Sequence, residues 1–123
     1  MTIGEFQRLI EAIYNRKDAA RGLERTFMWF VEEAGELARD LLHESKPGPS
    51  PLPPLGGRGT SEGPLAREFA DVLAWLATLA SIAGVDLEAA ARAKYGQGCP
   101  RCAATPCRCA EPMKPMKPSS VST

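Results

Sequence analysis

Five carboxylates in two short clusters are the residues of this chain best placed to do chemistry. Glu32, Glu33 and Glu36 lie within the stretch EEAGE, and Glu68 and Asp71 stand three apart in EFAD. A second group is of a different chemical kind. Cys99-Pro-Arg-Cys102 and Cys107-Arg-Cys109 form C-x2-C-x4-C-x-C, which holds all four cysteines of the 123-residue chain. Oxygen donors favour hard cations such as Mg²⁺ or Mn²⁺. Four thiolates suit a tetrahedral site with Zn²⁺ as its occupant, although this spacing is tighter than in common zinc modules; a redox C-x-x-C and unstructured thiols are the rivals.

The elements that must position these groups are helical. Phe6, Leu9, Ile10, Ile13 and Tyr14 recur at helical spacing between polar residues, predicting an amphipathic helix. Gly22 marks a break. Phe27, Phe30, Val31, Ala34, Leu37, Ala38, Leu41 and Leu42 then define the apolar arc of a second helix reaching about Glu44. Residues 45–63, SKPGPSPLPPLGGRGTSEG, hold five prolines and five glycines and read as a mobile connector. Pro64 opens a third helix over Leu65 to Ala83, stopped by Gly84. Asp86 suits the N-cap of a short fourth, Leu87 to Tyr95, stopped by Gly96. No run alternates with period two. The fold class is therefore all-α, a four-helix bundle-like protomer, with a helical domain over 1–98, the cysteine cluster over 99–109 and a disordered basic tail over 110–123.

On the second helix Glu32, Glu33 and Glu36 oppose the apolar arc, which by itself describes an ordinary solvated face. Trp29 projects from the same acidic arc, an odd place for a large aromatic. The third helix is more telling: between Leu65 and Val85 its only charges are Arg67, Glu68 and Asp71. A helix apolar nearly all round is expected to be buried nearly all round. Carboxylates there need a cation, a donor or a proton. If the two helices pack antiparallel, Glu33 and Glu36 converge with Glu68 and Asp71, while Trp29 and Trp75 meet at one end. A carboxylate cage beside an aromatic wall fits a metal-chelated phosphate with a flat group attached, which is a nucleotide.

The E-E-x-x-E of Glu32 to Glu36 followed by the E-x-x-D of Glu68 to Asp71, with DVLAWL after it, resembles the signature of MazG-type all-α nucleoside triphosphate pyrophosphohydrolases over about Tyr14 to Tyr95. The resemblance implies cleavage of an NTP or dNTP between its α- and β-phosphates, with Mg²⁺ held by Glu33, Glu36, Glu68 and Asp71. It makes Glu32 either a further ligand or the group that orients the attacking water. It places Lys94 where the family commonly has a phosphate-contacting lysine; a cation favourable at a helix C-terminus is the plainer reading. Trp29 and Trp75 are candidates for stacking on the base, or else interface or core residues. The family also implies a homodimer or homotetramer. The Pro/Gly connector and the cysteine segment depart from its pattern.

Composition narrows the alternatives. Fifteen Lys+Arg balance fifteen Asp+Glu, so no global basic field favours nucleic acid or anionic membrane as a partner. The balance is uneven: Arg101, Arg108, Lys114 and Lys117 against Glu111 leave the last 25 residues at +3 and residues 1–98 at −3. The most apolar run, Val72 to Val85, spans 14 residues, short of the roughly 20 that a membrane-spanning helix needs. No secretory signal is visible, so a cytoplasmic, reducing setting is expected. His43, the single histidine, sits at the end of a helix, and no Gly-rich phosphate loop is present, which excludes Ser-His-Asp and P-loop chemistry. The alternative to an enzyme is a helical adaptor that binds a protein or nucleic-acid partner through a Cys₄ knuckle and the basic tail.

Overall fold

The computed structural model describes residues 1–44, 48 and 61–110, and all secondary structure among them is helical. In chain order the elements are α1 (Ile3–Glu44), α2 (Pro64–Ile82) and α3 (Leu87–Tyr95). The all-α expectation holds, but four predicted helices appear as three elements. The first two run together as α1, interrupted only where Gly22 adopts φ 78 and ψ 174. Glycine alone reaches that conformation without strain. The expected break is thus a kink between two arms. Most of the predicted connector, and the tail beyond Ala110, lie outside the described residues.

Local chemistry sets the helix ends. Before α1 the Glu5 N–H donates to Thr2 Oγ1 at 3.0 Å and the Thr2 N–H to Glu5 Oε1 at 3.4 Å, a reciprocal cap. Pro64 occupies the first turn of α2, where its missing N–H costs nothing. The helix closes with the Val85 N–H on the Ala80 carbonyl at 2.7 Å and the Gly84 N–H on Ser81 at 3.1 Å, with Gly84 at φ 74. This is the paired closing bond of a left-handed glycine terminus.

Two compact units divide the chain, Met1–Leu87 and a second beginning at Glu88. In the first, α2 lies antiparallel along both arms of α1. Near the start of α1, the buried Gln7 amide donates to Ser81 Oγ at 3.1 Å and to the Val85 carbonyl at 2.8 Å, and its oxygen accepts from the Leu87 N–H at 3.0 Å. Further along, Thr78 Oγ1 donates to Asp18 Oδ2 at 3.3 Å, then Trp75 meets Arg21 and Trp29, and Glu68 meets Glu33. The apolar core of this unit is small: Ile10, Ala77 and Ala80 are buried, with Thr26 and Thr78 beside them.

One expectation about faces is overturned. Of the apolar arc, Phe27, Val31, Leu41 and Leu42 are 54, 52, 40 and 75% exposed, while Phe30, Ala34 and Leu37 are half-buried. Nor is α2 buried all round, since Phe69, Leu73 and Leu76 are also exposed. The stripe that α1 turns to α2 instead includes Thr26, Trp29 and Glu33. The reason is geometric: two packed helices cover one stripe on each other, and here that stripe is the one bearing the tryptophans and carboxylates.

A Cβ on Gly22 would meet no atom within 4 Å, so substitution there acts through backbone conformation alone. Gly22→Ala is expected to lower stability by about 1–3 kcal/mol, read from the denaturant midpoint. An unchanged midpoint would show that the kink is not under strain control.

Candidate active site

The carboxylates of the two helices converge. Oxygens of Glu33 and Glu36 from α1 and of Glu68 from α2 lie within 4.8 Å of one another. A helix places residues three apart on one face, which aligns Glu33 with Glu36, and antiparallel docking brings Glu68 opposite them. Interaction with the adjacent Glu68 carboxyl, partial burial and the charges of Glu68, Glu36 and Asp71 together push the Glu33 carboxyl up to about 7. Proton-sharing is how like charges this close coexist without a cation.

Glu68 Oε1 is buried and has no hydrogen-bond partner among the described residues. An orphaned carboxylate oxygen is costly. With two further carboxylates aimed at the same small volume, the donor set fits a divalent cation of the oxygen-preferring class. Asp71, expected as the fourth ligand, is exposed and outside this set; its charge nevertheless acts on Glu33. Glu32 is exposed on the adjacent face of α1 and does not join the cluster.

Trp29 and Trp75 meet as anticipated, their rings 6.3 Å apart between centroids and 14° from parallel. The Arg21 guanidinium stands 4.8 Å from the Trp75 ring, a cation–π contact, and is held there by Asp18 at 2.9 Å. Asp18 in turn accepts from the buried Thr78 hydroxyl. A cavity of about 260 Å³ opens beside this chain of contacts, lined by Tyr14, Lys17, Asp18, Arg21, Asp71 and Trp75 among others. Asp71 and Trp75 were singled out from sequence; the α1 residues Tyr14, Lys17, Asp18 and Arg21 were not. Their signal was the stripe that starts apolar at Ile10 and Tyr14 and turns polar at Lys17, Asp18 and Arg21, a change that marks a helix leaving the core and lining an opening.

The remaining predicted residues belong to the second unit. Lys94, in the last turn of α3, is exposed with its Nζ 5.6 Å from the Tyr95 ring. Cys99, Cys102, Cys107 and Cys109 bring their four sulfurs within 4.8 Å of one another, and all four are free thiols.

The raised Glu33 pKa fixes a sign. Between its ordinary value of 4.5 and about 7 the folded, metal-free protein holds a proton that the unfolded chain releases. This contribution to stability is full below that window and lost as pH rises through 7. The metal-free melting temperature of wild type is therefore expected to fall more steeply across the window than that of Glu33→Gln. Equal slopes would place the proton elsewhere.

Comparison with known proteins agrees with this geometry. The family described as the MazG nucleotide pyrophosphohydrolase domain matches residues 21–103, about two thirds of the chain. No curated protein gives a significant match. The matched span begins at the kink, takes in the acidic arm of α1 and all of α2, and so contains every carboxylate of the cluster. The chain belongs to the MazG nucleotide pyrophosphohydrolase family, and its function is, in general terms, that of a nucleotide pyrophosphohydrolase.

Proposed function

We propose that this protein hydrolyses nucleoside triphosphates, ribo- or deoxyribo-, to the monophosphate and pyrophosphate with Mg²⁺, Mn²⁺ being the alternative cation. The observation that carries this reading is the meeting of Glu33, Glu36 and Glu68 within 4.8 Å, with an unpartnered buried oxygen on Glu68, next to the stacked tryptophans. Glu33, Glu36 and Glu68 hold the cation, and Asp71 adds negative charge at the rim. When bound, the cation offsets polyphosphate charge and polarises the phosphoryl oxygens.

The residues of the chain do the rest. A water adds across the α–β phosphoanhydride, the bridging P–O bond breaks, and pyrophosphate leaves. Glu32, exposed next to the cluster, orients that water and accepts its proton. Trp29 and Trp75 offer the aromatic surface for the base, and Lys17 and Arg21, lining the adjoining cavity, are cations available to the phosphates. The exposed arc of Phe27, Val31, Leu41 and Leu42 suits burial against a second copy, in a homodimer or homotetramer. The substrate is drawn from a cytoplasmic nucleotide pool, and no membrane or nucleic acid takes part. Among the described residues, no single helix is long and apolar enough to cross a membrane.

The full chain, incubated with a panel of NTPs and dNTPs and Mg²⁺, is expected to release pyrophosphate, and Glu68→Gln to lose about 100-fold or more of that rate, consistent with several kcal/mol of metal-assisted stabilisation. Absence of pyrophosphate from every nucleotide would sink the reading. Trp75→Ala is expected to raise KM roughly 10- to 100-fold with a smaller change in kcat, since stacking on a base is worth about 1–3 kcal/mol. A loss confined to kcat would remove the tryptophan from substrate binding.

A further inference from the structure

Residues 88–110 contain no buried residue at all, yet they hold a defined turn structure beyond α3. A stretch this short, without a core, needs another source of folding energy. The cysteines supply one. Their sulfurs lie mutually within 4.8 Å, with Cys99 Sγ 3.7 Å from Cys109 Sγ, spacings that place four donors around one central ion and that exceed a covalent S–S bond.

The backbone is folded to serve these sulfurs. Cys99-Pro-Arg-Cys102 closes into a tight loop, with the Ala103 N–H on the Cys99 carbonyl at 2.7 Å and the Cys99 N–H on the Ala104 carbonyl at 3.0 Å. Ala103 at φ 58 and Gly98 at φ 103 make the reversals on either side. At Gly98 the close approach is strict: a Cβ would lie 2.7 Å from Thr105 Oγ1 and 2.9 Å from the Ala104 carbonyl oxygen. The loops then point N–H groups at sulfur. The Arg108 N–H donates to Cys102 Sγ at 3.2 Å and the Cys109 N–H to Cys107 Sγ at 3.3 Å. Donors converging on sulfur stabilise thiolate, the form that binds metal.

We propose that Cys99, Cys102, Cys107 and Cys109 bind one structural Zn²⁺ as a closed tetrathiolate, and that this ion, rather than an apolar core, folds residues 96–110. Four thiol protons leave to solvent as the ion enters, so the site carries a net −2 charge. Arg101 and Arg108, each inside one of the cysteine pairs, offset it. All four ligands are protein sulfurs, which leaves no open coordination position for substrate. The family match covers Cys99 and Cys102 and ends at residue 103, before Cys107 and Cys109. The proposal is independent of the hydrolase reading.

The test is metal analysis of the full chain purified under reducing conditions. Elemental analysis is expected to give one zinc per chain, and Cys102→Ser/Cys109→Ser to lose it at least tenfold. Replacement by Co²⁺ is expected to give the visible spectrum of a tetrahedral thiolate site. Stripping the zinc with a chelator is expected to collapse the amide signals of residues 96–110 while those of α1 and α2 persist, an outcome that separates local from global unfolding in the variant. Failure of reduced, metal-free protein to take up added zinc would overturn the proposal. So would iron in place of zinc, an octahedral cobalt spectrum, or unchanged signals over 96–110 after stripping.

Discussion

Three carboxylates brought by two helices into one small volume are the constraint around which this structure is arranged. Left to Coulomb repulsion they would push α1 and α2 apart, because like charges at such distances in a partly desolvated place cost several times what they cost in water. Two agents can hold them together, a shared proton or a cation. The raised pKa of Glu33 beside Glu68 favours the first. Glu68 Oε1, buried and without a hydrogen-bond partner among the described residues, is open to the second.

The rest of the first unit keeps that contact in register. Gln7 ties the start of α1 to the far end of α2, and Asp18, Thr78, Arg21 and Trp75 continue the contact toward the acidic end. The kink at Gly22 lets one straight helix, α2, follow both arms. Polar groups do much of this work because so few apolar side chains are buried. Directional hydrogen bonds fix register where a thin core cannot, at the cost of leaving large apolar arcs on the surface.

Those arcs explain where the sequence pattern misled. Hydrophobic periodicity reports which face of a helix will be covered, without saying by what. In the second arm of α1 the pattern pointed to Phe27, Val31 and Leu41 as the inward face, and within this unit they face outward. The acidic face, which pattern alone assigns to solvent, meets α2 through Glu33 and through the contact of Trp29 with Trp75. The cysteine module carries the same lesson in reverse: no apolar pattern announces it, because its order comes from sulfur and backbone N–H groups.

The sequence by itself determined the helical class, the positions of the break at Gly22 and of the stops at Gly84 and Gly96, the pairing of the EEAGE and EFAD carboxylates, the meeting of Trp29 with Trp75 and the clustering of the cysteines. The class, the breaks and the cysteine cluster follow from spacing along one chain and from the conformations that glycine and proline impose; the two pairings also needed the assumption that the helices pack antiparallel. Tertiary structure alone decided that Asp71 stands outside the group of Glu33, Glu36 and Glu68, that Glu32 stays exposed, and that Lys17, Asp18 and Arg21 line the adjoining cavity. Those outcomes depend on the rotation of α2 about its own axis and on the bend of α1. Both are set by which side chains interlock between helices far apart in sequence, a quantity that periodicity along either helix does not contain.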